Sequence, residues 1–156
     1  SSNHYIRVYL KRVNKTLSTI KKKVRPIFYC NSCANFKISE VFTKSKKRCS
    51  CNSYFEQLGP MWVGKLWDKD LAKKITMSQN TNTLMSFIKF EAMIDSFGYF
   101  DYHAIAKKMK SANLPKIEVL IDKIKNKGYK ATRSHFSTTG IRSNIPPRSF
   151  SKLLTR

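Results

Sequence analysis

Four cysteines and one short basic, aromatic stretch hold the side chains best suited to chemistry. Cys30 and Cys33 are two residues apart, Cys49 and Cys51 one residue apart, and fifteen residues separate the pairs. Two close thiol pairs at this separation suit a tetrahedral zinc with Cys30, Cys33, Cys49 and Cys51 as ligands. The single residue between the second pair, Ser50, predicts a tighter loop than the usual two-residue turn, with fewer backbone amides to bond the sulfurs. Four cysteines leave no open position, so such a zinc is structural and not catalytic. The alternative is four reduced cysteines without a metal. The second feature is Lys130-Ala131-Thr132-Arg133-Ser134-His135-Phe136. In an extended backbone Tyr129, Ala131, Arg133 and His135 share a face. Arg133 and His135 can meet phosphate, and Phe136 can stack on a base. Equally, Phe136 can belong to the core and His135 can bond a backbone carbonyl. No acidic partner stands near His135 in sequence, which argues against acid–base catalysis there.

Charge says which partner such a stretch would meet. The chain has 156 residues, 31 Lys+Arg and 9 Asp+Glu, for a formal net charge of +22. Residues 1–39 and 123–156 each carry nine basic and no acidic side chains, and the middle holds all nine acidic ones. A surplus of this size attracts polyanions and releases their counterions, with nucleic acid the first expectation and an anionic membrane the second. Small lysine-rich proteins can also be basic through genome composition alone. The longest apolar run, residues 27–30, cannot span a bilayer, and the first 25 residues lack the apolar centre of a signal peptide. A cytoplasmic protein with reduced thiols is therefore expected. The sequence has no Gly-x-Gly-x-x-Gly, no phosphate-binding glycine loop and no paired carboxylates. By itself the chain does not look like a catalyst.

The elements that must position these residues follow from pattern. Residues 5–10 alternate as a strand, residues 11–23 read as a loop, and residues 24–29 read as a second strand with Pro26 marking an edge. Asp68 is placed to cap a helix from Lys69. A further helix is expected over about 82–96, ended by Gly98. Asp101 caps a short helix carrying Ile105, Ala106 and Met109. A turn at 111–115 puts Pro115 at the first position of the next helix, whose stripe is Ile117, Leu120, Ile121 and Ile124. Lys116, Lys123 and Lys127 lie off that stripe, on a solvated face. Gly128 stops the helix, and residues 129–136 read as a strand. The order helix, turn, helix, strand resembles a winged helix-turn-helix. Residues 137–144 read as a polar tail, and Pro146-Pro147 opens a last helix. Trp62 and Trp67 are expected to pack rather than to stack on bases.

Several segments together resemble one family, the tRNA guanine-26 dimethyltransferases. They are Tyr29-Cys30-Asn31-Ser32-Cys33, Cys51 followed by Gly59-Pro60-Met61-Trp62-Val63-Gly64-Lys65-Leu66, Ile105-Ala106-Lys107-Lys108-Met109, and the run Gly128 through Arg142 with its Arg133-Ser134-His135-Phe136-Ser137. The opening His4-Tyr5-Ile6-Arg7-Val8 resembles the last strands of that family's methyltransferase domain. The second cysteine pair departs from the family, whose first member would fall at Arg48. The resemblance implies an enzyme that uses S-adenosylmethionine to dimethylate the exocyclic amine of one tRNA guanosine. Its donor site and catalytic residues would lie upstream of this chain. It implies an α+β chain in three parts. Residues 1–28 would be terminal strands of the Rossmann-like domain, 29–58 a zinc-ribbon-like segment, and 59–156 a winged-helix-like tRNA-binding domain. Arg7, Lys130, Arg133, His135, Phe136 and Arg142 are the expected RNA contacts. The partner would be tRNA, the protein a monomer, and no membrane is involved. The competing classes are a DNA-binding regulator with zinc ribbon and winged helix, and a structural or ribosomal RNA-binding protein. The polar face of the helix at 116–127 offers lysines and Asn126 but no Arg or Gln for base edges, which disfavours the regulator.

Overall fold

The structure, a computed structural model, describes residues 17–43, 46–75, 83–111 and 113–154. The expected strand at 5–10, and Arg7 with it, lie outside these residues. In chain order the elements are α1 (Leu17–Lys21), β1 (Val24–Tyr29), β2 (Phe36–Ile38), β3 (Glu56–Trp62), α2 (Lys69–Lys73), α3 (Thr83–Glu91), β4 (Phe100–Asp101), α4 (Tyr102–Lys108), α5 (Ile117–Asn126), β5 (Ala131–Arg133), β6 (Gly140–Ser143) and α6 (Pro147–Lys152). The architecture is α+β. Two antiparallel three-stranded sheets, ordered β2-β1-β3 and β4-β6-β5, are accompanied by short helices. No helix among the described residues is long and apolar enough to cross a membrane.

The first sheet corrects two expectations. Helix α1 occupies part of the stretch read as a loop. Pro26 lies in the central strand and not at an edge. It sits where the β1–β3 register shifts between Arg25 and Ile27, and such a bulge tolerates a residue without an N–H. Its carbonyl still accepts from the Ser39 N–H at 2.9 Å. The boundaries drawn at 28/29 and 58/59 both fall inside strands of this sheet, with Phe28 opposite Gln57 and Ile27 opposite Leu58. The thiol segment and the strands on either side of it therefore form one unit.

The second sheet carries the principal core. The α5 stripe is buried as its spacing predicts, with Leu120 and Ile124 fully enclosed. Phe100 and Phe150 stack at 4.3 Å beside it. Each such buried side chain contributes about 1.5–3 kcal/mol relative to exposure. Gly128 ends α5 at a φ of +83°, a conformation that favours glycine. Pro115 precedes the helix, whose cap is Lys116. Helix α3 stops at Glu91, well before Gly98, which turns the chain toward β4 at a φ of +61°. The strand read at 129–136 shortens to β5. The stretch read as a polar tail contains β6, the buried centre of the sheet. Its polar side chains are enclosed because they have internal partners: Ser143 Oγ accepts from the Ile145 N–H, and Arg142 donates to the Ser96 carbonyl.

The two units are packed together. Ala34, from the thiol segment, lies in the core of the helical unit. Ser151 Oγ donates to the Cys33 carbonyl at 3.3 Å, and Lys108 Nζ to the Tyr29 hydroxyl at 3.1 Å. Asp101 ties helix to hairpin, since its Oδ1 accepts from both the Ala104 N–H at 3.0 Å and Thr139 Oγ1 at 3.1 Å. Asp101→Ala is expected to cost about 1 kcal/mol, the usual loss for an N-cap. The readout is a lower urea midpoint with an unchanged m-value.

Candidate metal centre and nucleic-acid interface

Strand β1 delivers Cys30 into the interior, where it is fully buried. The chain then folds back on itself: the Ala34 N–H donates to the Cys30 carbonyl and the Cys30 N–H to the Asn35 carbonyl, both at 2.8 Å. The second pair sits on an equally tight reversal. Arg48 bridges Tyr54, the Cys49 N–H reaches the Ser53 carbonyl at 2.8 Å, and Asn52 takes a φ of +68°. Asn tolerates that region better than most residues. These turns bring all four sulfurs within 4.8 Å of one another, with Cys30 to Cys51 at 3.4 Å and Cys33 to Cys49 at 3.6 Å. A tetrahedron of sulfurs about 2.3 Å from zinc has edges of about 3.8 Å, so the set can close on one ion.

The short Cys49–Cys51 spacing does not deprive the sulfurs of amide donors. Backbone groups of Cys33 and Ser32 bond Cys30, that of Asn35 bonds Cys33, that of Cys51 bonds Cys49, and that of Ser53 bonds Cys51. Asn35 Nδ2 adds a donor to Cys49. The four thiols divide. Burial pushes Cys30 and Cys33 up. Burial also works against ionising Cys49, but the Cys51 amide, Asn35 and Cys33 outweigh it and hold that thiol at about 6. The Ser53 amide leads in lowering Cys51. Thiolate character is thus concentrated on two of four clustered sulfurs, a donor set that a soft divalent cation would satisfy.

The hairpin β5–β6 gathers most of the expected RNA contacts and separates one from them. Arg133, at the end of β5, has a side chain 42% exposed and pairs with Glu118 of α5 at 3.3 Å. Lys130 is exposed, and its N–H donates to Asn144 Oδ1 at 2.8 Å. Phe136, in the loop between the strands, is 60% exposed. Arg142 is 1% exposed, so its guanidinium faces the interior and not an RNA. It donates to the Ser96 carbonyl at 2.8 Å and lies 3.9 Å from Glu91. Burial lowers its pKa, with Glu91 and Asp95 opposing.

Glu91 is the residue that sequence reasoning missed. It is fully buried at the end of α3. Its Oε1 accepts from the His135 N–H at 2.5 Å and faces His135 Nδ1 at 2.8 Å, while Ser134 Oγ reaches Oε2 at 3.4 Å. An acidic partner for His135 therefore exists, supplied across 44 positions of sequence where no local signal could reveal it. The pair anchors the hairpin and holds His135 mostly buried. Trp67 packs edge-on against the His135 ring at 5.6 Å, as packing was expected of it, whereas Trp62 is 41% exposed beneath Lys23.

A second basic feature lies between α5 and α6. An open groove of about 690 Å³ is lined by Lys123, Asn126, Lys127, Tyr129, Ser149 and Lys152 among others. The i, i+4 spacing of Lys123 and Lys127 was the available signal for it.

A family model described as N2,N2-dimethylguanosine tRNA methyltransferase matches residues 1–155. The tRNA (guanine(26)-N(2))-dimethyltransferase of Methanosphaera stadtmanae is 31% identical over 166 residues, covering 99% of this chain and 42% of the relative. The enzyme of the same name from Archaeoglobus fulgidus is 30% identical over 135 residues, covering 85% of this chain and 38% of the relative. Among solved structures, Trm1 from Pyrococcus horikoshii, in complex with S-adenosyl-L-methionine, superimposes with a TM-score of 0.67 at 26% identity, over 89% of this chain and 37% of that one. The chain spans about two fifths of the length of these relatives.

Proposed function

Since the chain belongs to the N2,N2-dimethylguanosine tRNA methyltransferase family, we propose that it is the tRNA-binding portion of a tRNA (guanine-26) dimethyltransferase. In this reading the methyl donor, S-adenosylmethionine, and the groups that transfer the methyl belong to the remainder of the protein. The protein acts on tRNA in the cytoplasm as a monomer.

The observation that carries this reading is the placement of exposed cations on the helical unit. Lys123 of α5 and Lys127, which caps its C-terminus, line one groove with Lys152 of α6, and Lys130 and Arg133 lie beside and on the adjoining strand β5. The order α3-β4-α4-α5-β5-β6, with β4 paired to β6, supports a winged-helix reading of this unit. Such cations hold phosphates, fix register and carry little sequence information. The RNA-facing set is then Lys130, Arg133 and Phe136, joined by the lysine groove, with the mostly buried His135 of the expected set supporting Phe136 from behind. Arg142 leaves the set and supports the hairpin from within. The zinc-ribbon-like sheet would brace the helical unit through Ala34 and Ser151, with a zinc on the four cysteines closing its two turns. That zinc supplies rigidity and no catalysis, because the sulfurs fill its coordination sphere.

Arg133 gives a direct test. Its ion pair with Glu118 is exposed and therefore weak, so a phosphate can displace the carboxylate. Arg133→Ala is expected to weaken tRNA binding and to reduce the slope of log K against log salt by about one unit. Affinity and slope unchanged across a salt series would remove Arg133 from the interface.

A further inference from the structure

Two aromatic rings, one in the β5–β6 loop and one just before β4, have an exposure that packing does not explain. Phe136 is 60% exposed and Tyr99 42% exposed. Their rings are nearly parallel, 11° apart in plane and 5.8 Å between centroids. Parallel rings at that separation are offset, which leaves part of each face uncovered. Water gains nothing from a bare phenyl ring held rigidly at a loop tip.

The rings are nonetheless held firmly. The Phe136 N–H donates to Ser134 Oγ at 3.2 Å. The His135 ring lies against Phe136 at 3.9 Å, and Glu91 fixes that imidazole from the buried side. Tyr99 approaches so closely that a Cβ on Gly140 would lie 3.0 Å from its ring and 2.9 Å from Ser134 Cβ. Glycine at 140 is what allows tyrosine and hairpin to meet. A shallow hollow of about 240 Å³ opens beside Phe136, with Phe87, Arg133 and the Ser137 and Thr138 region around it. Arg133 brings a cation to this wall, on a chain of net charge +22.

We infer that Tyr99 and Phe136 form a stacking platform for an unpaired nucleobase of the RNA, with Arg133 taking the phosphate next to it. The inference rests on the tRNA-binding reading above and names the kind of nucleotide that this part of the site accepts. Aromatic stacking takes any base, because every base has a π-face, and it needs the base free of a duplex. Protein ligands would instead call for a continuous apolar groove, and duplexes hide their base faces.

Three forms of the full-length protein decide it: wild type, Phe136→Ala and Phe136→Trp. Each is titrated with tRNA, with a short single-stranded RNA and with the duplex of that sequence, across a salt series. Phe136→Ala is expected to weaken tRNA and single-stranded RNA about ten-fold, the scale of one base stacked on one aromatic ring. Its salt slope should stay unchanged, because no phosphate contact is lost. Phe136→Trp should bind at least as tightly as wild type. Duplex RNA should show no dependence on residue 136. Equal weakening by alanine and tryptophan, or equal dependence for duplex, would overturn the platform, as would full affinity in the alanine variant. If wild type itself fails to bind tRNA, the tRNA-binding reading falls instead. Because Phe136 is exposed, its variants should keep the wild-type melting temperature, so lost affinity cannot be ascribed to unfolding.

Discussion

Cys51→Ser is expected to destabilise the protein about as much as Cys49→Ser, and both variants should retain only a small fraction of an equivalent of zinc. Packing alone predicts the opposite ranking. Cys49 is 3% exposed and sits in the small core with Phe28 and Phe55, whereas the Cys51 side is open to solvent. Without a metal, a serine at 51 would change little, since surface substitutions usually stay within about 0.5 kcal/mol. With zinc, each sulfur is one quarter of the same centre. Structural zinc in small domains binds with apparent free energies of about 10–16 kcal/mol, and that energy is coupled to folding. Losing one ligand forfeits enough of it to rival the stability of a whole domain, about 5–15 kcal/mol. Elemental analysis and melting with and without a chelator check both halves. Acidification should release the metal, since each thiol must lose its proton to bind. Wild-type protein purified without zinc, whose melting chelation leaves unchanged, would remove the metal centre.

The convergence of the four cysteines was legible because their pairing is written in local spacing, and only the loop details differed. The amphipathic stripe of α5, the Asp68 and Asp101 caps and the Gly128 stop were legible for the same reason, since each depends on residues within one or two turns. What escaped depends on distant partners. Strand β6 reads as a polar tail until Glu91 and the Ser96 carbonyl are known to meet Arg142. Pro26 reads as an edge until β3 supplies a bulge opposite it. Arg142 lies in a motif resembling an RNA-binding run, yet its side chain supports that run from inside. A motif therefore marks a segment without distinguishing a side chain open to a partner, such as Phe136, from one that holds the segment in place, such as Arg142.

That distinction yields the second large effect. Glu91→Ala is expected to cost about 3–5 kcal/mol, the range for removing one member of a buried charge pair. Three consequences add. Arg142 keeps its charge at 1% exposure with no carboxylate near it. Two of its nitrogens, Nε and Nη1, already have no hydrogen-bond acceptor, so Glu91 balances it through the field more than through a bond. The His135 N–H and the Ser134 hydroxyl lose their acceptor within a partly enclosed hairpin. The cavity left at the end of α3 adds its own term. Glu91→Gln should cost less than alanine, because it keeps an acceptor and fills the volume while losing only the charge. Pairing Glu91→Leu with Arg142→Met should recover much of the loss, since a buried ion pair exchanged for apolar groups of similar size is often neutral. Urea unfolding of the four proteins would order them as wild type, double variant, glutamine and alanine. A double variant no better than alanine would show that the hydrogen bonds to the hairpin, and not the charge on Arg142, make Glu91 necessary. In either case, RNA affinity should follow the hairpin: the alanine variant loses the fixed His135 that supports Phe136, and its binding to single-stranded RNA should fall to that of Phe136→Ala.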